Sequence, residues 1–130
     1  RCQRDAAMMS LALTTLKIMM RKASTRCSLA EDDIATLVHL LKSPVSIGVA
    51  VECANAVLNM CYDEINVMPF VRAGGTAPLV HYLSADAPAL QLAAAGALQS
   101  VSFSPFGRTA AVDAGCVPPL SKLLRSADDA

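Results

Sequence analysis

The sequence predicts an all-α solenoid in which a three-helix unit recurs. Three observations carry this. First, separate landmarks share one period. "LVHLL" (Leu37–Leu41), "LVHYL" (Leu79–Leu83) and "LSKLL" (Leu120–Leu124) stand 42 and 41 residues apart, and "VRAG" (Val71–Gly74) and "VDAG" (Val112–Gly115) stand 41 apart. "CANAVLNM" (Cys53–Met60) and "AAGALQSV" (Ala94–Val101) are again 41 apart. A repeat of this length is the signature of stacked supersecondary units. Second, glycine stands at the same place in the unit, ahead of a proline and an apolar run, where a chain leaving one helix must turn into the next. Third, of the 130 residues 54% are hydrophobic and 17% charged, with five aromatics and no Trp. Mean hydropathy is +0.43. Such a chain, rich in Ala, Leu, Val and Met, favours close-packed helices buried on more than one face over strands.

Taken in order, the opening "RCQRDAAMMSLALTTLKIMMRK" has flanking charges and an apolar middle, as a signal peptide would. Asp5 stands against the apolar run, which is broken by Ser10, Thr14, Thr15 and Lys17, and no initiator Met is present. The expectation is an amphipathic helix inside a larger array, since a spanning helix needs about 20 apolar residues. Its "SLALTTLK" (Ser10–Lys17) is read as a further copy of the third-helix pattern at a spacing of 44. In the best-defined unit a short first helix covers Ile65–Ala73 and ends at Gly74. A second helix covers Ala77–Leu83 with Thr76 as its N-cap. Pro78, like Pro118 and Pro119, falls in a first turn, where backbone N–H groups lack partners anyway. A third helix covers Ala87–Ser102, with Leu90, Ala94, Ala97, Leu98 and Val101 at helical spacing. Gly96 costs about 1 kcal/mol against Ala in a helix interior, which points to close approach of another backbone or a ligand. The repeated glycine is therefore a corner.

The string "FVRAGGTAPLVHYLSADAPALQLAAAGALQSVS" (Phe70–Ser102) resembles an armadillo repeat along its whole length. Asp33–Gly74 resembles it more loosely, and Val112–Ser126 resembles the start of another unit. The resemblance implies a right-handed α-solenoid of three-helix repeats spanning 1–130: a partial unit 1–26, repeats 27–63 and 64–104, and a partial repeat 105–130. The related HEAT repeats have two helices and no such glycine corner. The chain opens within a third helix and stops after a second, at "RSADDA". Each repeat buries its faces only against neighbours, so the expectation is a piece of a longer array.

No catalytic pattern stands out. Gly-x-Ser-x-Gly, a phosphate loop and His-Glu-x-x-His are all absent, so the chain is read as no enzyme, with no cofactor and no metal. His39 and His81 share one repeat position with Lys122. That slot points outward, and helices spaced about 8–10 Å apart do not bring two such rings within the roughly 2.0–2.1 Å of a zinc ion. The acid pairs Asp32–Asp33, Asp63–Glu64 and Asp128–Asp129 are read as capping or solvated groups at helix ends. Arg21, Lys22 and Arg26 are read as a solvated basic turn, with no interleaved aromatic of the kind nucleic acid needs. Net charge is zero, so nothing attracts nucleic acid or anionic lipid over the whole surface. Cys2, Cys27, Cys53, Cys61 and Cys116 are odd in number and contain no Cys-x-x-Cys. They read as reduced thiols in a cytoplasmic chain, with cytoskeletal, ciliary or nuclear association open.

What the resemblance implies about function is a concave groove lined by third helices. In that family an Asn on each third helix bonds the backbone of an extended peptide. The matching position is Asn59, with Ser100 and Thr15 in the neighbouring units. Peptide-transport members carry a Trp one turn earlier, where this chain has Leu11, Asn55 and Gly96. That ladder is broken, and Asp63 is the only acid one turn beyond Asn59, so import of basic peptides is not expected. The expected partner is a protein or extended peptide, without nucleic acid, membrane or small-molecule substrate. The alternatives are the substrate-recruiting region of a larger enzyme such as a U-box ubiquitin ligase, and a structural subunit of a large cytoskeletal or ciliary assembly. A purely structural role for Asn59, satisfying nearby backbone, stands beside the binding role.

Overall fold

A computed structural model describes residues 2–128, with side chains over 3–126. The described residues form helices α1 (Cys2–Met19), α2 (Ala23–Arg26), α3 (Glu31–Lys42), α4 (Ile47–Met60), α5 (Val67–Arg72), α6 (Thr76–Tyr82), α7 (Pro88–Val101), α8 (Pro105–Asp113) and α9 (Val117–Asp128). A 3-10 turn over Glu64–Asn66 leads into α5, and no strand occurs among them. The third helices α1, α4 and α7 form a row in which α4 packs against both of the others, while α3 and α6 lie on α4 and α7 respectively. The alanines of α4 and α7 are buried where the two helices meet a neighbour: Ala54 and Ala56 on one, Ala94 and Ala97 on the other, all at 0% exposure. Small side chains there let the backbones approach, and the larger Phe70, Leu41, Leu79 and Leu83 fill the space between layers.

The glycine corners are realised as expected. Gly74 and Gly115 both adopt φ +85°. Behind Gly74, its N–H donates to the Val71 carbonyl (2.9 Å) and that of Gly75 to Phe70 (3.1 Å). Behind Gly115 the same pair of bonds runs from Gly115 to Val112 (2.9 Å) and from Cys116 to Ala111 (3.2 Å). This pattern closes a helix on a left-handed residue and satisfies carbonyls that otherwise lack partners. The second glycine, Gly75, has an ordinary φ of −76°. Its reason is space: a Cβ there would collide with the ring of fully buried Phe70.

Three local expectations are corrected. Gly75, not Thr76, is the N-cap of α6; Thr76 is the first helical residue, buried, and its hydroxyl caps nothing. The first helix does not run unbroken from Ile65. Pro69 has no N–H to give the Ile65 carbonyl and its ring crowds that turn, so the segment divides into the 3-10 turn and α5. The spacing of 44 for the opening copy is also wrong. Leu13 in α1 and Met20 just past its end are buried as Cys53 and Met60 are in α4, and the Arg26 guanidinium bonds the Met20 carbonyl as the Asn66 amide bonds that of Met60. Each of these pairs is 40 residues apart, and the Lys17 and Leu58 carbonyls, which accept the bonds of Asn59 and Ser100, are 41 apart, so the counterpart of Asn59 falls at Ile18–Met19 and not at Thr15.

Candidate functional site

The accessible side of the α1–α4–α7 row carries the residues singled out from the sequence. Helix α4 is set by Ser46, whose Oγ accepts from the Val49 N–H (3.1 Å), an N-cap worth about 1 kcal/mol. From there Asn55 and Asn59 fall one turn apart, both half-buried. The Asn59 Nδ2 donates to the Lys17 carbonyl at the end of α1 (2.8 Å). The Ser100 hydroxyl, 3% exposed, donates to the Leu58 carbonyl (2.6 Å). Both bonds span one repeat, so this position ties each third helix to the one before it. Asn55 makes no side-chain hydrogen bond among the described residues. Thr15 is exposed and its hydroxyl is turned back on the Leu11 carbonyl (2.8 Å). Leu11 is 69% exposed. Gly96 faces Leu58, whose Cδ1 would lie 2.7 Å from a Cβ at that place; the approach is to a neighbouring side chain. Leu11 and Thr15 thus share a shallow apolar hollow along α1, and Gly96 lines another between α7 and α9. The structure does not gather the six into one pocket; it spreads them along the row.

The row also holds polar ties that reading along the chain missed. Glu52 on α4 accepts from Thr14 (3.0 Å) and from the Lys17 ammonium (2.9 Å) on α1. The Lys17 hydrogen bond, against some desolvation, holds the Glu52 carboxyl below its ordinary pKa. Arg26 is not solvated. It is 8% exposed, pairs with the Asp63 carboxylate, and caps α1 by donating to the carbonyls of Met20 (2.8 Å) and Arg21 (2.9 Å). Its guanidinium also lies 5.0 Å from the Tyr62 ring centroid, a cation–π distance. Asp63 is therefore an ion-pair partner rather than a cap, and Asn66 completes the junction by donating to Arg26 (3.1 Å) and Met60 (2.9 Å) carbonyls. The signal that could have found Arg26 is its place shortly after the end of α1, within reach of that helix's open carbonyls, where a cation is favoured. Asp33 does act at a helix start, accepting from the Ala30 N–H (3.0 Å); the Asp128–Asp129 side chains, like that of Cys2, lie outside the described residues.

His39, His81 and Lys122 are all exposed. Among the described residues no group of three or more His, Cys, Asp or Glu is placed to hold a metal ion, and no helix is long and apolar enough to cross a membrane. Cys27 is exposed, whereas Cys53, Cys61 and Cys116 are buried free thiols. Burial pushes the thiols of Cys53 and Cys61 up to about 12, which removes their nucleophilic thiolate at neutral pH.

No family model matches the chain. It is 34% identical over 95 residues, 73% of its length, to vacuolar protein 8 of Candida albicans, an armadillo-repeat protein. Two crystal structures of engineered proteins resemble it, at 31% and 27% identity and TM-scores of 0.83 and 0.80, each over 88% of this chain. The chain spans 16% of the length of the vacuolar protein and about half of the engineered ones, 48% and 49%. With the three-helix unit, its left-handed glycine corner and the row of third helices all in place, the chain belongs to the armadillo-repeat proteins.

Proposed function

We propose that the chain is a non-enzymatic scaffold that takes a partner protein as an extended segment along the third-helix row. The observation that carries this is Asn55: a half-buried amide at the centre of the row, with both donor and acceptor groups and no partner among the described residues. Exposed apolar side chains stand on or just past the three helices of the row: Leu11, Tyr62, Leu92 and Phe103, at 69%, 67%, 77% and 67% exposure. A backbone amide can pair with Asn55 while alternate side chains of the segment meet those apolar groups. Asn59 has one amide hydrogen committed to Lys17 and its carbonyl oxygen left over for the same segment. The reading places the chain in the cytoplasm, where the buried thiols of Cys53 and Cys61 stay reduced.

The test is a photo-crosslinking amino acid placed in turn at Gln99, exposed on the row, and at His81, exposed on α6. Protein adducts are expected from position 99 and not from 81. Once a partner is captured, Asn55→Ala should weaken its binding two- to tenfold, the worth of one neutral hydrogen bond, with the melting temperature unchanged. Adducts from position 81 alone would overturn the reading.

A further inference from the structure

The second helices share a pair of positions one turn apart. They hold His39 and Lys42 on α3, His81 and Ser84 on and just past α6, and Lys122 and Arg125 on α9, at spacings of 42 and 41 residues. All six are exposed. His39 and Lys42 are so with α6 packed beside their helix, so the openness of this face belongs to the repeat position. Five of the six side chains carry a basic nitrogen, and the exception is Ser84.

The exception leaves a tie unmade. The Lys42 ammonium reaches the corner of the next unit, donates to the Ala73 carbonyl (3.0 Å) and stands 2.9 Å from where a Cβ on Gly74 would lie. Serine is too short to repeat this, and nothing lies within 4 Å of a Cβ built on the matching Gly115. Between α6 and α9 there is instead a hollow of about 490 Å³, with His81 and Ser84 on one wall and Pro119, Lys122 and Arg125 on the other. No carboxylate lines it, and neither Lys122 nor Arg125 forms an ion pair among the described residues. A hydroxyl thus faces two strong cations and an imidazole that have no anion between them.

We propose that Ser84 is a phosphorylation site and that this hollow is the seat of its phosphate, which ties α6 to α9. A protein kinase transfers the γ-phosphoryl group of ATP. The bond from the γ-phosphorus to its bridging oxygen breaks, ADP leaves, a P–O bond to the Ser84 oxygen forms, and the hydroxyl proton passes to a base of the kinase. Ser84 stands exposed in the connection between α6 and α7, where a modifying enzyme has access. The product carries a charge of about −1.5 to −2 and three acceptor oxygens, which the guanidinium and the ammonium bond with charge assistance. A free anion gains little in an open, salt-screened hollow. A phosphate tethered to the wall is present at an effective concentration on the order of mM. The site stands on the second helices, and it does not depend on what the third-helix row binds.

The experiment installs phosphoserine at position 84 by genetic code expansion, in the chain itself and in the double variant Lys122→Gln, Arg125→Gln. Each is melted beside its own unmodified form. In the chain itself the phosphate should raise the melting temperature by roughly 3–6 °C, the shift of about one such tie in a domain of this size. The rise should shrink at about 1 M salt. The phosphorus resonance should titrate below its usual value of about 6, because nearby cations favour the dianion. In the double variant the phosphate should lower the melting temperature instead, since a dianion just past the C-terminal end of α6 opposes the helix dipole. A phosphorylated chain that melts no higher than the unmodified one, or a rise that survives the loss of both cations, overturns the seat. Phosphopeptide mapping of the protein isolated from its own cells should find Ser84 modified, and finding it bare there overturns the modification.

Discussion

At the residue scale, the informative groups are those whose partners lie a full repeat away. Asn59 donates to Lys17, so Asn59→Ala should lower stability by about 0.5–1.5 kcal/mol, read as a lower melting temperature without any partner present. Glu52 gives a pH dependence of known sign. Its folded pKa is lowered, so the Lys17–Glu52 tie stabilises fully above the unfolded value of about 4.3. That contribution is lost as pH falls from there through the lower folded value. Glu52→Gln should flatten this part of the stability curve by no more than about 1 kcal/mol, as a part-exposed pair is worth little; a variant curve that parallels the wild type would remove the tie from the account. Gly74→Val should cost about 1–2 kcal/mol or more, because a β-branched residue is forced to φ +85°. His81→Ala, on an exposed ring, should stay within about 0.5 kcal/mol, and thermal melts of the two separate them. The chain's own text shows why these residues differ in legibility. Gly74 announces itself by a local rule about backbone angles. Arg26 and Asn59 look like any surface cation and amide, since nothing within a few residues of either contains Asp63 or Lys17.

At the element scale, the close approach of α7 to α4 and the tight corner before α6 both depend on missing Cβ atoms, and with opposite tolerance. A Cβ at Gly96 meets the far end of the flexible Leu58 side chain, which can turn aside, while the helix gains about 1 kcal/mol of propensity. Gly96→Ala should be close to neutral. A Cβ at Gly75 meets the rigid ring of Phe70 in a filled layer, so Gly75→Ala should cost about 1–3 kcal/mol by overpacking. Denaturant midpoints of the two variants check the order. The corners were legible because Gly74 and Gly115 end α5 and α8 by a local backbone rule; the caps of α4 and α8, Ser46 and Ser104, were not picked out from the sequence. The opening helix was placed in the wrong register because it lacks such a marker. Its Ser and Thr residues break the apolar period, and only the burial of Leu13 and Met20 aligns it with α4.

At the scale of the whole molecule, the chain is a one-dimensional array whose stability is a sum over units and the surfaces between them. Within the described residues Met19 and Leu124 are 53% and 73% exposed at the two ends of the row. Fusing a polar-faced capping repeat beside each should raise the melting temperature and the solubility of the 130-residue chain, and a fused chain that melts no higher would count against this nearest-neighbour account. The period and the family were readable because an array repeats its evidence; the row's hydrogen-bond ties were not, because they run between copies of the unit rather than along it. The corner glycines carry a further consequence, in the genetic code. Every single-base missense change in a glycine codon introduces a side chain, and Asn, which tolerates a left-handed backbone well, is not among those reached. Gly115 has open space around it, with nothing within 4 Å of an added Cβ, while at Gly74 an added Cβ meets the end of the flexible Lys42 side chain, its ammonium at 2.9 Å. Of the changes one base can make, Asp suits the backbone angle best at either corner. The two corners share one geometry, yet at 115 that replacement displaces nothing and at 74 it requires Lys42 to turn aside.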